Sequence, residues 1–270
     1  MLESVPFIHT FRTSGGDYIY DVNKNTIVKT QKSVYEFLNN LSKDNIKQSL
    51  ESNTKEVFGA IENLVTEGFL SSNKLSEIVH PMDEFLVDCL NNKVRMITLQ
   101  VTQQCNLRCS YCVYSDNYQT REHSNRRMDF EIARKGIDFI ISHSKDLSHI
   151  NIGFYGGEPI LEFEMIKRCI SYAEEKAEGK FVTFNMTTNG TLINEEVIEY
   201  FQEHNVSILI SLDGPKSIHD KNRVFASNGQ GSFDRIIANI ENIREKYPEY
   251  SKNITFNIVL DPENNFSCIN

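Results

Sequence analysis

Met96-Ile97-Thr98-Leu99-Gln100-Val101-Thr102, followed at once by Gln103-Gln104-Cys105-Asn106-Leu107-Arg108-Cys109-Ser110-Tyr111-Cys112, is the stretch on which the fold turns. The first seven residues are aliphatic and β-branched and read as a strand. The next ten place three thiols within eight residues, spaced x3 and then x2. The remaining cysteines, Cys89, Cys169 and Cys268, are scattered, and Cys89 and Cys169 read as ordinary buried cysteines. A chain of 270 residues is not a small disulfide-stapled scaffold, so the cluster of thiols points to metal chemistry.

Downstream of the cysteines, strands and helices alternate. The periodicity predicts a helix over 132–141, a strand over 149–155 and a helix over 162–178. Further strands are predicted over 181–186, 206–212 and 254–260. Helices over 194–204, with Asn194 as N-cap, and 233–246 separate them. Such β-α repetition implies an α/β protein with a parallel sheet, either open or curled into a barrel. Each of the first four strands is followed by an unusual segment. These are the cysteines, Gly156-Gly157-Glu158-Pro159, Thr188-Asn189-Gly190 and Asp213-Gly214-Pro215. Parallel strands share one carboxyl end, where sites are built, so the four segments are expected to converge. Taken singly, the last three are also ordinary turn chemistry.

Upstream, the first ninety residues read as a separate unit. Tyr18–Val22 and Thr26–Lys29 flank an Asn23-Lys24-Asn25 turn, a hairpin signal. Val34, Phe37, Leu38 and Leu41 mark one amphipathic helix. A second begins near Thr54 and closes at Gly68, and Phe69-Leu70 resembles the first strand of a wing. The unit is therefore expected to be a small winged-helix-like α+β domain over residues 1–72, with a partly helical linker over 73–93. Eight Lys and Arg against thirteen Asp and Glu in residues 1–90 give it a net charge of −5. A DNA reader needs a basic face, so strand addition of a peptide to a sheet edge suits the unit better.

The whole chain carries a net charge of −9 with 40% hydrophobic residues, an ordinary globular balance that disfavours nucleic acid and anionic membrane as partners. No apolar run approaches the ~20 residues of a membrane span, and no secretory signal opens the sequence. A cytoplasmic protein is expected.

Three readings fit the cysteine cluster. One is a structural zinc with His123 as fourth ligand, and a second is a [4Fe–4S] cluster with one iron left open for a small molecule. The third is a buried stripe on a helix, which the polar Gln103, Gln104, Asn106 and Arg108 disfavour.

Cys105-Asn106-Leu107-Arg108-Cys109-Ser110-Tyr111-Cys112 resembles the signature of radical S-adenosylmethionine enzymes, and Gly156-Gly157-Glu158-Pro159 resembles their glycine-rich segment. The resemblance runs from about Met96 to Leu260. It implies a partial (β/α)6 TIM-like barrel over residues 94–270, with a [4Fe–4S] cluster and S-adenosyl-L-methionine at its mouth. Cys105, Cys109 and Cys112 would then hold three irons. Gly156 and Gly157 would let the backbone approach the methionine moiety, Glu158 would accept hydrogen bonds, and Tyr111 would reach adenine through its backbone. Ser211-Leu212-Asp213-Gly214-Pro215 with Ile218-His219-Asp220 and Arg223 resembles the peptide-modifying branch of the family. There Ser211 would contact the ribose, Arg223 the cofactor carboxylate and the backbone of 258–260 the adenine. A surface arginine at 223 and a solvated turn carboxylate at 158 are the plain alternatives.

The hairpin and helix of the first unit resemble the leader-recognition domain of maturases that form thioether links in cysteine-rich peptides. The implied reaction is reductive cleavage of S-adenosylmethionine, with the 5′-deoxyadenosyl radical abstracting hydrogen from a precursor peptide. A flavodoxin or ferredoxin would be the electron donor. A sulfatase-type maturase oxidising a Cys or Ser, or a non-catalytic leader- and metal-binding module, are the alternatives. The loop 115–128, with Arg121, His123, Arg126 and Arg127, would steer an acidic peptide or simply be solvated. This branch carries a C-terminal SPASM-type domain with auxiliary clusters, whereas only Cys268 follows the fifth strand here. The barrel is thus expected to be incomplete after that strand, the front part of a longer enzyme that binds but does not turn over.

Overall fold

Two separate sets of apolar side chains build two cores, one in each of two units, Met1–Pro81 and Met82–Asn270. The computed structural model describes residues 4–41, 55–74, 76–77, 79–115, 123–177 and 179–261.

The first unit begins with an antiparallel meander, β1 (Ile8–Thr13), β2 (Gly16–Asp21) and β3 (Thr26–Thr30). Helices α1 (Lys32–Leu41) and α2 (Lys55–Thr66) follow. Ile19 from β2 packs with Val34, Phe37 and Leu38 of α1 and with Val57 and Ile61 of α2. The α+β character is as expected, and β1 is a strand that sequence patterning did not mark. The wing strand expected at Phe69-Leu70 is not formed. Gly68 N–H bonds the Val65 carbonyl and Phe69 N–H the Leu64 carbonyl, the paired bonds of a left-handed helix stop, with Gly68 at φ +82°. Leu70 follows at φ +62°, and its N–H donates to the buried Asp21 carboxylate at 2.7 Å. That carboxylate, and not a ladder partner, takes the backbone donor. The helix start expected near Thr54 lies outside the described residues.

The second unit opens with α3 (Leu86–Asn92), within the stretch expected to be a linker. Then come β4 (Met96–Thr102), β5 (Leu107–Cys109), α4 (Phe130–Ser142), β6 (His149–Gly156) and α5 (Phe163–Lys176). The chain continues through β7 (Phe181–Thr188), α6 (Glu195–Glu203), β8 (Val206–Ser211), α7 (Lys216–Asn222) and β9 (Arg223–Phe225). It ends with α8 (Phe233–Lys246) and β10 (Ile254–Asn257). The main sheet is wholly parallel in the order β10-β8-β7-β6-β4, a partial TIM-like barrel of five strands. β5 and β9 form a separate antiparallel ribbon. The fifth strand stops at Asn257, short of the expected Leu260.

One sheet face is apolar. Leu99, Val101, Ile150, Ile152, Phe154, Phe184, Met186, Ile208 and Ile210 bury against Ala133 and Ile137 of α4, Ile166 and Ile170 of α5, Phe201 of α6 and Ile236 of α8. The alternate residues are polar or small, with Thr98 and Gln100 exposed and Gly153, Asn185 and Thr187 beside them. A parallel sheet covered on both faces gives continuous apolar runs, so this alternation marks a sheet with one helix-covered face. Among the described residues no helix is long and apolar enough to cross a membrane.

Candidate functional site

The cysteine loop leaves β4 at Thr102 and is stapled to the segment that leaves β6. Gly157 N–H donates to the Thr102 carbonyl and Glu158 N–H to the Gln104 carbonyl, each at 2.8 Å. This contact explains the two glycines. A Cβ at Gly156, which has φ +147°, would fall 2.1 Å from the Thr102 oxygen, and one at Gly157 would fall 2.1 Å from the Gln104 oxygen. Neither distance admits a side chain.

Glu158 is fully buried and faces the protein. Its carboxylate accepts from Ile160 N at 3.1 Å, Thr188 Oγ1 at 2.7 Å and Asn189 N at 2.8 Å. Burial pushes its pKa up, against the pull of those three donors. The residue thereby ties the end of β6 to the end of β7. Asn189 in turn bridges to the cysteine loop, donating Nδ2 to Asn106 Oδ1 at 2.8 Å and toward Cys105 Sγ at 3.7 Å. Asn106 Nδ2 completes the link by donating to Thr191 Oγ1 at 2.8 Å.

Asp213, after β8, organises the opposite side. Arg223 reaches its carboxylate with Nε at 2.8 Å and Nη2 at 3.3 Å, and Val259 N–H adds a bond at 3.1 Å. The Tyr111 hydroxyl donates to the same carboxylate, and the Arg223 guanidinium lies 5.3 Å from the Tyr111 ring centre. Burial pushes the Asp213 carboxyl up, but the Arg223 and Tyr111 hydrogen bonds and the Arg223 charge outweigh it and hold the group below the usual carboxylate range.

Between these two sides lies a cavity of about 380 Å³. Cys105, Cys109, Cys112, Tyr111, Gly156, Gly157, Ser211 and Arg223 all line it, and Val259 borders it as well. Of the residues expected to hold the cluster or S-adenosylmethionine, Glu158 stands behind the wall, and of 258–260 only Val259 borders the cavity. His123 lines the cavity beside Tyr114, with ring centres 6.0 Å apart. Arg127 pairs with Glu162 at 3.0 Å, while Arg121 and Cys268 lie outside the described residues. Cys169 on α5 is buried in the core as expected, whereas Cys89 on α3 is only half-buried.

Sequence reading did not single out Asp213, Asn189 or His219 as side chains that shape the site. The Asp-Gly-Pro and Asn-Gly pairs read as turns, and their partners lie in other segments: Asp213 accepts from Arg223, Tyr111 and Val259, and Asn189 donates to Glu158 and Asn106. The spacing of Asp213 and Arg223 on a strand end and the strand after the next helix was the available signal.

The three cysteines are free thiols, none is fully buried, and all open onto one volume. Burial raises Cys105 to about 11 and Cys109 to about 12, so a cationic centre is needed to hold them as thiolates. Among the described residues no three His, Cys, Asp or Glu side chains converge closely enough to hold a single metal ion. A cluster with one iron per thiolate takes three thiolates around a shared space, and Cys105, Cys109 and Cys112 all line one cavity.

Residues 99–270 match the Radical SAM superfamily, which is well over half of the chain. The chain belongs to this superfamily. The cofactors of radical SAM proteins are a [4Fe–4S] cluster and S-adenosylmethionine. The chain is 34% identical over 160 residues to a cysteine-type anaerobic sulfatase-maturating enzyme of Clostridium novyi, covering 58% of this chain and 42% of that one. It is 25% identical over 255 residues to the radical SAM cyclopropyl synthase TigE of Paramaledivibacter caminithermalis, covering 87% and 52%. The solved structure of native anSMEcpe with bound AdoMet aligns with a TM-score of 0.52 at 25% identity, over 61% of this chain and 43% of that one. This radical SAM chain thus spans about half the length of the relatives it matches.

Proposed function

We propose that this chain is the leader-binding and cofactor-binding portion of a radical S-adenosylmethionine enzyme that modifies a ribosomally made, cysteine-rich peptide, by thioether cross-linking. The observation that carries the cofactor assignment is the convergence of Cys105, Cys109, Cys112, Gly156, Gly157 and Arg223 on one cavity at the carboxyl end of a parallel sheet. When bound, the cluster and S-adenosylmethionine supply an electron and, by reductive cleavage, a 5′-deoxyadenosyl radical that abstracts hydrogen from the substrate.

The chain's own residues position these partners. Cys105, Cys109 and Cys112 hold three irons as thiolates. Arg223 is held by Asp213 through Nε and Nη2, and an Nη1 donor, which Asp213 does not take, would serve the cofactor carboxylate. The Ser211 hydroxyl would contact the ribose, and the main chain at Tyr111 and Val259 the adenine; all three residues border the cavity. Gly156 and Gly157 keep the wall thin, and Glu158 acts through the Thr188-Asn189 turn that it holds. In the first unit, β1 and β3 are edge strands, and Ile27 on β3 is largely exposed. An extended leader peptide paired to such an edge is bound by backbone hydrogen bonds, which the acidic charge does not oppose.

The match to the cyclopropyl synthase TigE supports a first unit that works together with the radical SAM unit. It covers 87% of the chain, more than the second unit alone can supply, whereas the sulfatase-maturase match covers 58%. The second reading, oxidation of a Cys or Ser on a sulfatase, rests on the higher identity of that shorter match. A flavodoxin or ferredoxin is the proposed electron donor.

Anaerobic iron–sulfur reconstitution of the chain, with EPR of the reduced cluster and an assay for 5′-deoxyadenosine, tests the assignment. A colourless protein that binds one zinc per chain sinks it. Titration with leader peptides then separates the two readings, because a sulfatase maturase gives no leader binding.

A further inference from the structure

The β5–β9 ribbon sets Cys109 directly opposite Arg223 in register. As a result Arg223 Nη1 lies 3.9 Å from Cys109 Sγ, while Nε and Nη2 are taken by Asp213. The arginine is not left to find this position by itself. Asp213 N–H donates to His219 Nδ1 at 3.3 Å, which places the ring proton on Nε2. Nε2–H faces Ser232 Oγ at 3.0 Å, Ser232 Oγ–H donates to the Arg223 carbonyl at 2.9 Å, and Arg223 returns to Asp213. The circuit closes on itself, and its members are between 0% and 7% exposed. A buried ion pair is a poor source of stability, since desolvation offsets most of its attraction. Three buried polar residues arranged around one buried arginine therefore call for a role in fixing where its charge sits.

We propose that Asp213, His219 and Ser232 are positioning residues that hold the Arg223 guanidinium against the Cys109 sulfur, and that this contact raises the reduction potential of the cluster bound there. The inference rests on the cluster assignment made above. Reduction adds one electron, delivered by an external one-electron donor, to the cluster and its three thiolates; no bond is made or broken. A fixed positive charge and an N–H donor at a ligating sulfur favour the more negative, reduced state. The register matters because a one-residue slip of the ribbon would turn Arg223 to its other face.

The test is an EPR-monitored redox titration of the anaerobically reconstituted full chain without S-adenosylmethionine, so that cofactor binding does not enter. Arg223→Met is expected to lower the cluster potential at unchanged iron content, and Arg223→Lys, which keeps the charge, to restore part of the difference. His219→Ala is expected to shift the potential in the same direction as Arg223→Met, and the double variant to go no lower than Arg223→Met alone. Ser232→Ala breaks the same circuit at its next link and serves if His219→Ala does not fold. A potential in Arg223→Met equal to that of the unaltered chain overturns the inference, as do fully additive shifts in the double variant. If the unaltered chain takes up no cluster, the cluster assignment itself fails and takes the inference with it.

Discussion

An alanine at Gly157 would place its Cβ 2.1 Å from the Gln104 carbonyl oxygen, which itself receives the Glu158 N–H. The clash is with main chain on both sides, so no side chain can turn aside to relieve it. Gly157→Ala is expected to cost about 1–3 kcal/mol in denaturant unfolding of the second unit, in the range of overpacked cores. It should also displace the cysteine loop enough to reduce iron uptake on reconstitution. The Asp213 carboxyl gives a pH-dependent counterpart. Its pKa in the folded chain lies below the ordinary carboxylate value of about 3.9, because Arg223 and Tyr111 outweigh burial. A depressed acid contributes stability that is present above its unfolded pKa and lost as pH falls through the folded one. The unfolding free energy of the apo chain should therefore fall as pH drops below about 4. Asp213→Asn should remove that part of the acid limb, as read by near-UV circular dichroism across pH 2–6. An identical acid limb in the variant would show that the ion pair contributes nothing to it.

Elements differ in how openly the sequence displays them. β4, β6, β7 and β8 are marked by alternation between residues such as Leu99, Val101, Ile150, Ile152, Phe184 and Ile208, which face the helices, and polar residues between them. α6 announces itself at Asn194, whose side chain accepts the Val197 N–H at 3.0 Å. Asn194→Ala should cost about 0.5–2 kcal/mol in the same unfolding assay, the usual value of an N-cap. An unchanged midpoint would mean that water replaces the cap without loss. By contrast, β5 and β9 hold three residues each and pair across more than a hundred positions of sequence. No local period can reveal such a ribbon, yet it is what faces Arg223 with Cys109. The cysteine spacing and the glycine pair were legible because their chemistry is local. Glu158 was legible as a residue of interest but not as a buried tie to Thr188 and Asn189, since its partners lie in another strand's turn. The Phe69-Leu70 strand failed for a similar reason, because a distant carboxylate, Asp21, takes the backbone donor that a ladder would need.

At the scale of the molecule, the two units have cores that share no residue, and every described side chain of the cavity belongs to the second. Ligand binding stabilises only what unfolds with the site, by an amount set by mass action. With S-adenosylmethionine present at a hundred times its dissociation constant, the reconstituted second unit should gain about 2.7 kcal/mol over the cluster-loaded form without it. Hydrogen exchange can read this locally, because protection in a multi-unit chain is not uniform. Amides of β6, β7 and β8 should slow on cofactor addition, while those of β2, α1 and α2 should keep their rates. A leader peptide, added without cofactor, should do the reverse, slowing β2 and β3 and leaving the parallel sheet unchanged. The paired result distinguishes two independently loaded units from one cooperative body. Slowing of both sets by either ligand would show that the cores unfold together, and would move recognition of the peptide and of the cofactor into a single coupled step.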